Sequence, residues 1–199
     1  MKAKNMKKNI LFVGNSYTYY NDMPTAIFAV LAEEAGKALE VTAITRGGYR
    51  LTQFADPENE EGQRLRKVIR DKHYDYVVLQ DQSCQAIVDP TAFEAGIAAM
   101  KELLQAQTDH FILYATWGRK PGSDKLSELG LTSEEMTAQL DAAYTKAGEK
   151  FGMQVAHVGR AFAAYLTQHP DAELYNPDKS HPSLLGSEIA AKTILVAIL

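Results

Sequence analysis

Ile10-Leu-Phe-Val-Gly-Asn-Ser16 is the stretch on which the fold turns. Four apolar residues in a row, bounded by a turn, form a strand buried on both faces, as in the middle of a parallel sheet. Four more segments have the same character: Val41–Ile44, Tyr76–Leu79, Phe111–Tyr114 and Met153–Val158. Between them the apolar period lengthens. Phe93, Ile97, Met100 and Leu104 recur at helical spacing, as do Met136, Leu140, Tyr144 and Ala147, with a shorter stripe at Leu65, Val68 and Ile69. Pro24 opens a further predicted helix running to about Lys37, and a last one follows Pro182. Strand and helix in alternation predict an α/β fold, a five-stranded parallel sheet with helices on both faces.

Composition narrows the class. Of 199 residues 46% are hydrophobic and the net charge is only -4, so disorder is excluded and one sizeable core is within reach. A weakly acidic chain carries no electrostatic footprint for nucleic acid. The lone Cys84 excludes an internal disulfide and any zinc site built on clustered thiolates. Residues 1–8 read as a solvated basic tail. The apolar run behind them ends at Val13, too short for a signal core, and no stretch is long enough to span a bilayer. As it stands the chain reads as cytoplasmic, with export of a longer precursor left open. Residues 1–199 read as one domain, without repeats or a dividing linker.

In such sheets ligands bind at the carboxyl ends of the strands, so the loops there carry the function. Gly14-Asn15-Ser16 leaves the first strand and puts a serine among free backbone N–H groups, suited to a nucleophile, although the same tripeptide is also an ordinary turn. Thr45-Arg-Gly-Gly-Tyr-Arg-Leu51 leaves the second; Gly48 either offers its N–H to a ligand or simply turns. Leu79-Gln-Asp-Gln-Ser-Cys84 leaves the third, where Gln80 or Gln82 donates to an oxyanion or caps the next segment. In Asp178-Lys-Ser-His181-Pro182, proline holds His181 extended, and Asp178 sits three residues back, able to hold one ring nitrogen; alternatively Asp178 caps a turn beside an exposed His181, or the two are metal ligands without an evident third. His169-Pro170 has Leu166 at that spacing. His73, His110 and His157 lack the arrangement too and read as structural. The loop Gly118–Thr132 is the longest. Tyr17, Tyr19, Tyr20, Tyr49 and Trp117 lie near strand ends, either as a platform for a sugar or aryl group or packed beneath loops.

Taken in order, the four loops resemble the blocks of the SGNH hydrolases, the GDSL esterase and lipase superfamily, over almost the whole chain. The resemblance implies a three-layer α/β/α sandwich of flavodoxin-like type. It also implies a serine esterase with Ser16, His181 and Asp178 as its triad. The N–H groups of Ser16 and Gly48 would form the oxyanion hole, with no cofactor or metal. Two departures stand out. Asn15 replaces the usual aspartate, and Leu79-Gln-Asp-Gln-Ser83 replaces the Gly-x-Asn-Asp block, so that Gln80 or Gln82 must supply the side-chain donor. Tyr17, Tyr49 and Trp117 are the expected substrate contacts. Within the superfamily the expected substrate is a small-molecule or carbohydrate ester, first a short acetyl ester on a sugar, a deacetylase reaction. Lysophospholipase or thioesterase action, a non-catalytic binding module and a cysteine hydrolase built on Cys84 are the rivals.

Overall fold

The computed structural model describes residues 7–198. Elements follow in chain order: β1 (Lys8–Gly14), α1 (Ser16–Tyr19), α2 (Phe28–Glu34), β2 (Leu39–Thr45), α3 (Leu51–Ala55), α4 (Glu60–Ile69), β3 (Tyr74–Leu79), α5 (Gln85–Val88) and α6 (Pro90–Leu104). They continue with β4 (Thr108–Ala115), α7 (Asp124–Leu129), α8 (Ser133–Phe151), β5 (Gln154–His157), α9 (Val158–Gln168) and α10 (Leu184–Ile198). The strands form one parallel sheet in the order β2-β1-β3-β4-β5. This is the expected α/β architecture.

Alternation along each strand builds two cores. Leu11 and Val13 of β1 join Val77, Leu79 and Leu113 beneath Leu65 of α4, Phe93, Ile97 and Met100 of α6, and Met136, Leu140 and Tyr144 of α8. Ile10 and Phe12 point the other way, with Val78, Ile112 and Tyr114, against Phe28 of α2, Phe162 of α9 and Ile189 and Ile194 of α10. Ile10 to Val13 are completely buried. Each such side chain is worth about 1.5–3 kcal/mol relative to exposure, which is why the run must be a central strand. The helix ends obey local chemistry. Asp89 caps α6 through Ala92 N (3.0 Å), ahead of Pro90. Thr132 and Glu135 form a reciprocal capping box on α8.

The elements differ from expectation in several places, among them α9, which no predicted helix covered and which begins at Val158, expected to end the fifth strand. The first strand starts at Lys8, which pairs with Leu39, so the basic tail ends sooner; residues 1–6 of that tail lie outside the described residues. The predicted helix from Pro24 to Lys37 is split into a wide turn at Met23–Ile27 and α2 proper. The chain enters it through Asn21 and Asp22, both in the left-handed region (φ 56 and 51), and Pro24 has no N–H to give. The long loop after Gly118 contains α7, closed by Gly130. The short α3 and α5 escape a reading based on period, because neither completes two turns.

Between β1 and β3 the order reverses: the chain leaves β1 toward β2 on one side, then returns to β3 on the other. The loops diverge there and open a crevice at the carboxyl ends. Among the described residues no helix is long and apolar enough to cross a membrane.

Candidate active site

Ser16 is the first residue of α1, directly beyond β1. The turn that presents it is held from three sides. Asn15 caps α1 by accepting from Tyr17 N (3.2 Å), and its amide donates to Tyr49 O (3.0 Å). Its own N–H donates to Gln80 Oε1 (2.9 Å), which also accepts from the Thr18 hydroxyl (2.8 Å). Gly14 is obligatory here, since a Cβ would stand 2.4 Å from Thr18 Oγ1 and 2.8 Å from Gln80 Oε1.

On the opposite lip, Asp178 Oδ1 accepts from the backbone N–H of Ser180 and of His181, each at 2.9 Å, and Oδ2 lies 2.6 Å from His181 Nδ1. His181 Nε2 is 2.8 Å from Ser16 Oγ. Partial burial pushes the Asp178 carboxyl upward. The His181 ring and the two backbone donors outweigh that, and its pKa lies below the ordinary carboxylate range. Tyr20 stacks flat on the His181 ring (4.2 Å between centroids, 10°), and Tyr17 meets it edge-on.

The turn carrying His181 is stitched to its surroundings. Trp117 Nε1 donates to Ser180 O (3.1 Å), Lys120 N to Lys179 O (2.9 Å), and Tyr175 Oη to Gly118 O (3.0 Å). Asn21 ties the far side of α1 to α10 through Ser187 Oγ (2.8 Å).

A cavity of about 230 Å³ lies between these lips, lined by Ser16, Gly48, Gln82, Ser83, Arg119 and His181 among others. Gly48 adopts φ +73, a conformation that favours glycine. Among the described residues neither its N–H nor that of Ser16 has a hydrogen-bond partner. A roomier hollow of about 550 Å³, lined by Tyr76, Lys101, His110 and Gln154, holds no serine or cysteine.

Several expectations change. Gln80 is no oxyanion donor: its side chain is fully buried, its oxygen clamps Asn15 and Thr18, and its amide is bonded to Asp81 O. Gln82 lines the cavity, with its amide near Ser83 Oγ (3.3 Å). Trp117 is no substrate platform, being completely buried and stacked between Tyr17 (4.5 Å) and Phe162 (4.3 Å). Tyr17 lines the cavity, but its ring is buried and its hydroxyl is taken by Ser180 Oγ (3.0 Å). Burial raises its pKa, against the pull of Arg119. Tyr49 packs on Phe54 (5.4 Å), outside the cavity lining, and contributes its backbone carbonyl to Asn15. Cys84 is buried, with its thiol toward Gln82 Oε1. His157 does have a carboxylate partner, Asp141 at 2.6 Å, sixteen residues away where spacing could not reveal it. Arg119 and Ser83 were not singled out by sequence, because a charged or hydroxyl residue in a loop is ordinarily solvated. Among the described residues no group of three His, Cys, Asp or Glu is placed to hold a metal ion.

The fold is shared with a protein from Slackia heliotrinireducens classed with the SGNH hydrolases. It is 30% identical over 98% of this chain and 100% of its own, with a TM-score of 0.84. The chain belongs to the SGNH hydrolases. It is thus a hydrolase of the family that cleaves ester bonds. Two less similar solved structures share the fold. One is the acetylxylan esterase of Geobacillus stearothermophilus (15% identity, 98% and 96% of the chains, TM-score 0.69). The other is a protein of Parabacteroides merdae classed as a GDSL-like lipase (18%, 97% of each, TM-score 0.68). No family model and no curated protein matches the chain.

Proposed function

We propose that the protein is a serine esterase that removes a short acyl group, acetyl first, from a carbohydrate ester through Ser16, His181 and Asp178. The continuous chain Ser16 Oγ–His181 Nε2 at 2.8 Å and His181 Nδ1–Asp178 Oδ2 at 2.6 Å carries this reading. His181 Nε2 takes the Ser16 proton as Oγ attacks the acyl carbon, and Asp178 stabilises the imidazolium that results. The negative oxygen of the tetrahedral intermediate is received by the free N–H groups of Ser16 and Gly48 and by the Gln82 amide. Collapse passes the proton from His181 to the leaving alcohol. Water then attacks the acyl-enzyme with His181 again as base, releasing the acid and restoring Ser16.

A cavity of about 230 Å³ is smaller than most ligand sites and suits a short acyl group. The acetylxylan esterase named above, alike in fold, supports a carbohydrate as the alcohol part. The test is hydrolysis of p-nitrophenyl acetate, butyrate and octanoate by the wild type and Ser16→Ala. The expected result is a loss of roughly 10⁶ in turnover for the variant and a preference for acetate. Equal rates in the two proteins overturn the serine mechanism, and a preference for octanoate overturns the short-acyl assignment in favour of a lipase-like one.

A further inference from the structure

Arg119 is an arginine without a carboxylate. Arg46 and Arg64 pair with Glu61, and Arg160 with Asp141. Arg119 forms no ion pair among the described residues, nor do Arg50, Arg66 and Arg70, but of these four it is Arg119 that lines the cavity, and it is half-buried there. Its Nη2 donates to Ser83 Oγ (2.8 Å), and its guanidinium carbon lies 5.5 Å from the centre of the Tyr17 ring. Its Nε–H is buried with no acceptor. A guanidinium taken partly out of water with a buried donor unmet is costly to keep, unless a negative group completes it. The fold nonetheless fixes its place: Gly118 N, just before it, donates to Thr137 Oγ1 (2.9 Å), and the next residue, Lys120, is bonded to the loop that carries His181.

The geometry points to a specificity device, and we infer that Arg119, held by Ser83, receives an anionic oxygen group of the substrate beside the scissile ester. A planar, permanently charged fork suits a carboxylate or a phosphate, and charge-assisted hydrogen bonds in a small cavity discriminate strongly against neutral isosteres. The inference rests on the esterase reading above and deepens it: the ester to be cut sits on, or carries, an acid.

Paired esters test it. The half-ester p-nitrophenyl succinate against p-nitrophenyl butyrate probes a charge on the acyl side. The pair p-acetoxybenzoate and its methyl ester probes a carboxylate on the alcohol side. The pair p-acetoxyphenyl phosphate and p-acetoxyanisole probes a phosphate there. The expected result is a kcat/KM ratio of anionic to neutral ester of roughly tenfold or more in at least one pair. That ratio should fall toward one in Arg119→Gln and stay higher in Arg119→Lys. Because both esters meet the same preparation, a folding loss cancels from the ratio. No preference in any pair overturns the inference. So does a preference that Arg119→Gln leaves unchanged, or an equal loss on both members of each pair. Calorimetry on Ser16→Ala separates this from the mechanism. Tighter binding of p-acetoxybenzoate than of its methyl ester, abolished by adding Arg119→Gln, sustains the anion site even if no ester is turned over. Equal binding of the anionic and neutral members in all three pairs removes it even if esters are hydrolysed.

Discussion

The side-chain amide of Asn15 donates to the backbone carbonyl of Tyr49 at 3.0 Å, joining the turn that presents Ser16 to the loop that presents Gly48. The two proposed backbone donors of the oxyanion hole are therefore spaced by a single amide. An aspartate has no hydrogen to give, so the departure from the usual motif at this position has a physical purpose in this chain. Asn15→Asp would set a carboxylate oxygen against the Tyr49 carbonyl while preserving the cap on α1. A loss of about 1–3 kcal/mol in unfolding free energy is expected from chemical denaturation, with kcat falling more than KM rises. An unchanged midpoint and turnover would show that the two loops are positioned independently.

Gln80 and Gln82 should separate cleanly under substitution. Gln80 Oε1 accepts from both Asn15 N and Thr18 Oγ1 in a fully buried setting, so Gln80→Ala strips two buried donors of their partner. Its thermal midpoint is expected to drop by several degrees, the consequence of about 2–4 kcal/mol. Gln82→Ala loses the proposed amide donor and the part-buried bond from Cys84 N to Gln82 Oε1 (3.0 Å), and should lower kcat by about 10²-fold with a smaller change in midpoint than Gln80→Ala. The reverse pattern would return Gln80 to the oxyanion hole and displace Gln82 from it.

How far the sequence could see depended on whether a property is local. Ile10 to Val13 read as a central strand because four apolar residues in a row have no other stable use at that length. The pairing of Asp178 with His181 is a matter of three residues and a proline, and spacing alone suggested it. Gln80 and Gln82 were indistinguishable, because which one turns inward depends on how the chain leaves β3 against β1. Gln80 is still bonded to Val13 O, while Gln82 lies beyond the last sheet contact. Trp117 near a strand end promised an exposed ring. The neighbouring rings of Tyr17 and Phe162, far away in sequence, take both of its faces. The partner of His157 was hidden for the same reason.

Trp117 supports the His181 loop from below, and its indole N–H meets Ser180 O at 3.1 Å. Trp117→Phe keeps a ring between Tyr17 and Phe162 but leaves that buried carbonyl unpaired, a cost of about 1–3 kcal/mol. Turnover should fall several-fold through misplacement of His181, while the affinity of Ser16→Ala for a bound ester, measured in the double variant, stays close to its starting value. A fall in affinity matching the fall in turnover would place Trp117 in substrate contact instead.

Asp81 gives the fold a pH dependence that can be tested apart from catalysis. Its Oδ1 accepts from Leu51 N (2.9 Å) and Gln82 N (2.7 Å), fixing the start of α3 beside the cavity, while Oδ2 is buried without a partner. Burial dominates over these donors and over Arg50, and raises the carboxyl from 3.8 to about 6. A carboxyl raised in the folded state favours folding while it is protonated. Its contribution is complete below about pH 4 and is lost as pH rises through about 6. Two pH units at about 1.4 kcal/mol each make this on the order of 3 kcal/mol, carried by one side chain. Asp81→Asn keeps an oxygen for Leu51 and Gln82 but does not titrate. Urea unfolding of both proteins between pH 4 and pH 7 should therefore show the wild type losing stability relative to the variant across that window. Parallel curves would mean that Asp81 stays ionised throughout, with its second oxygen satisfied by water.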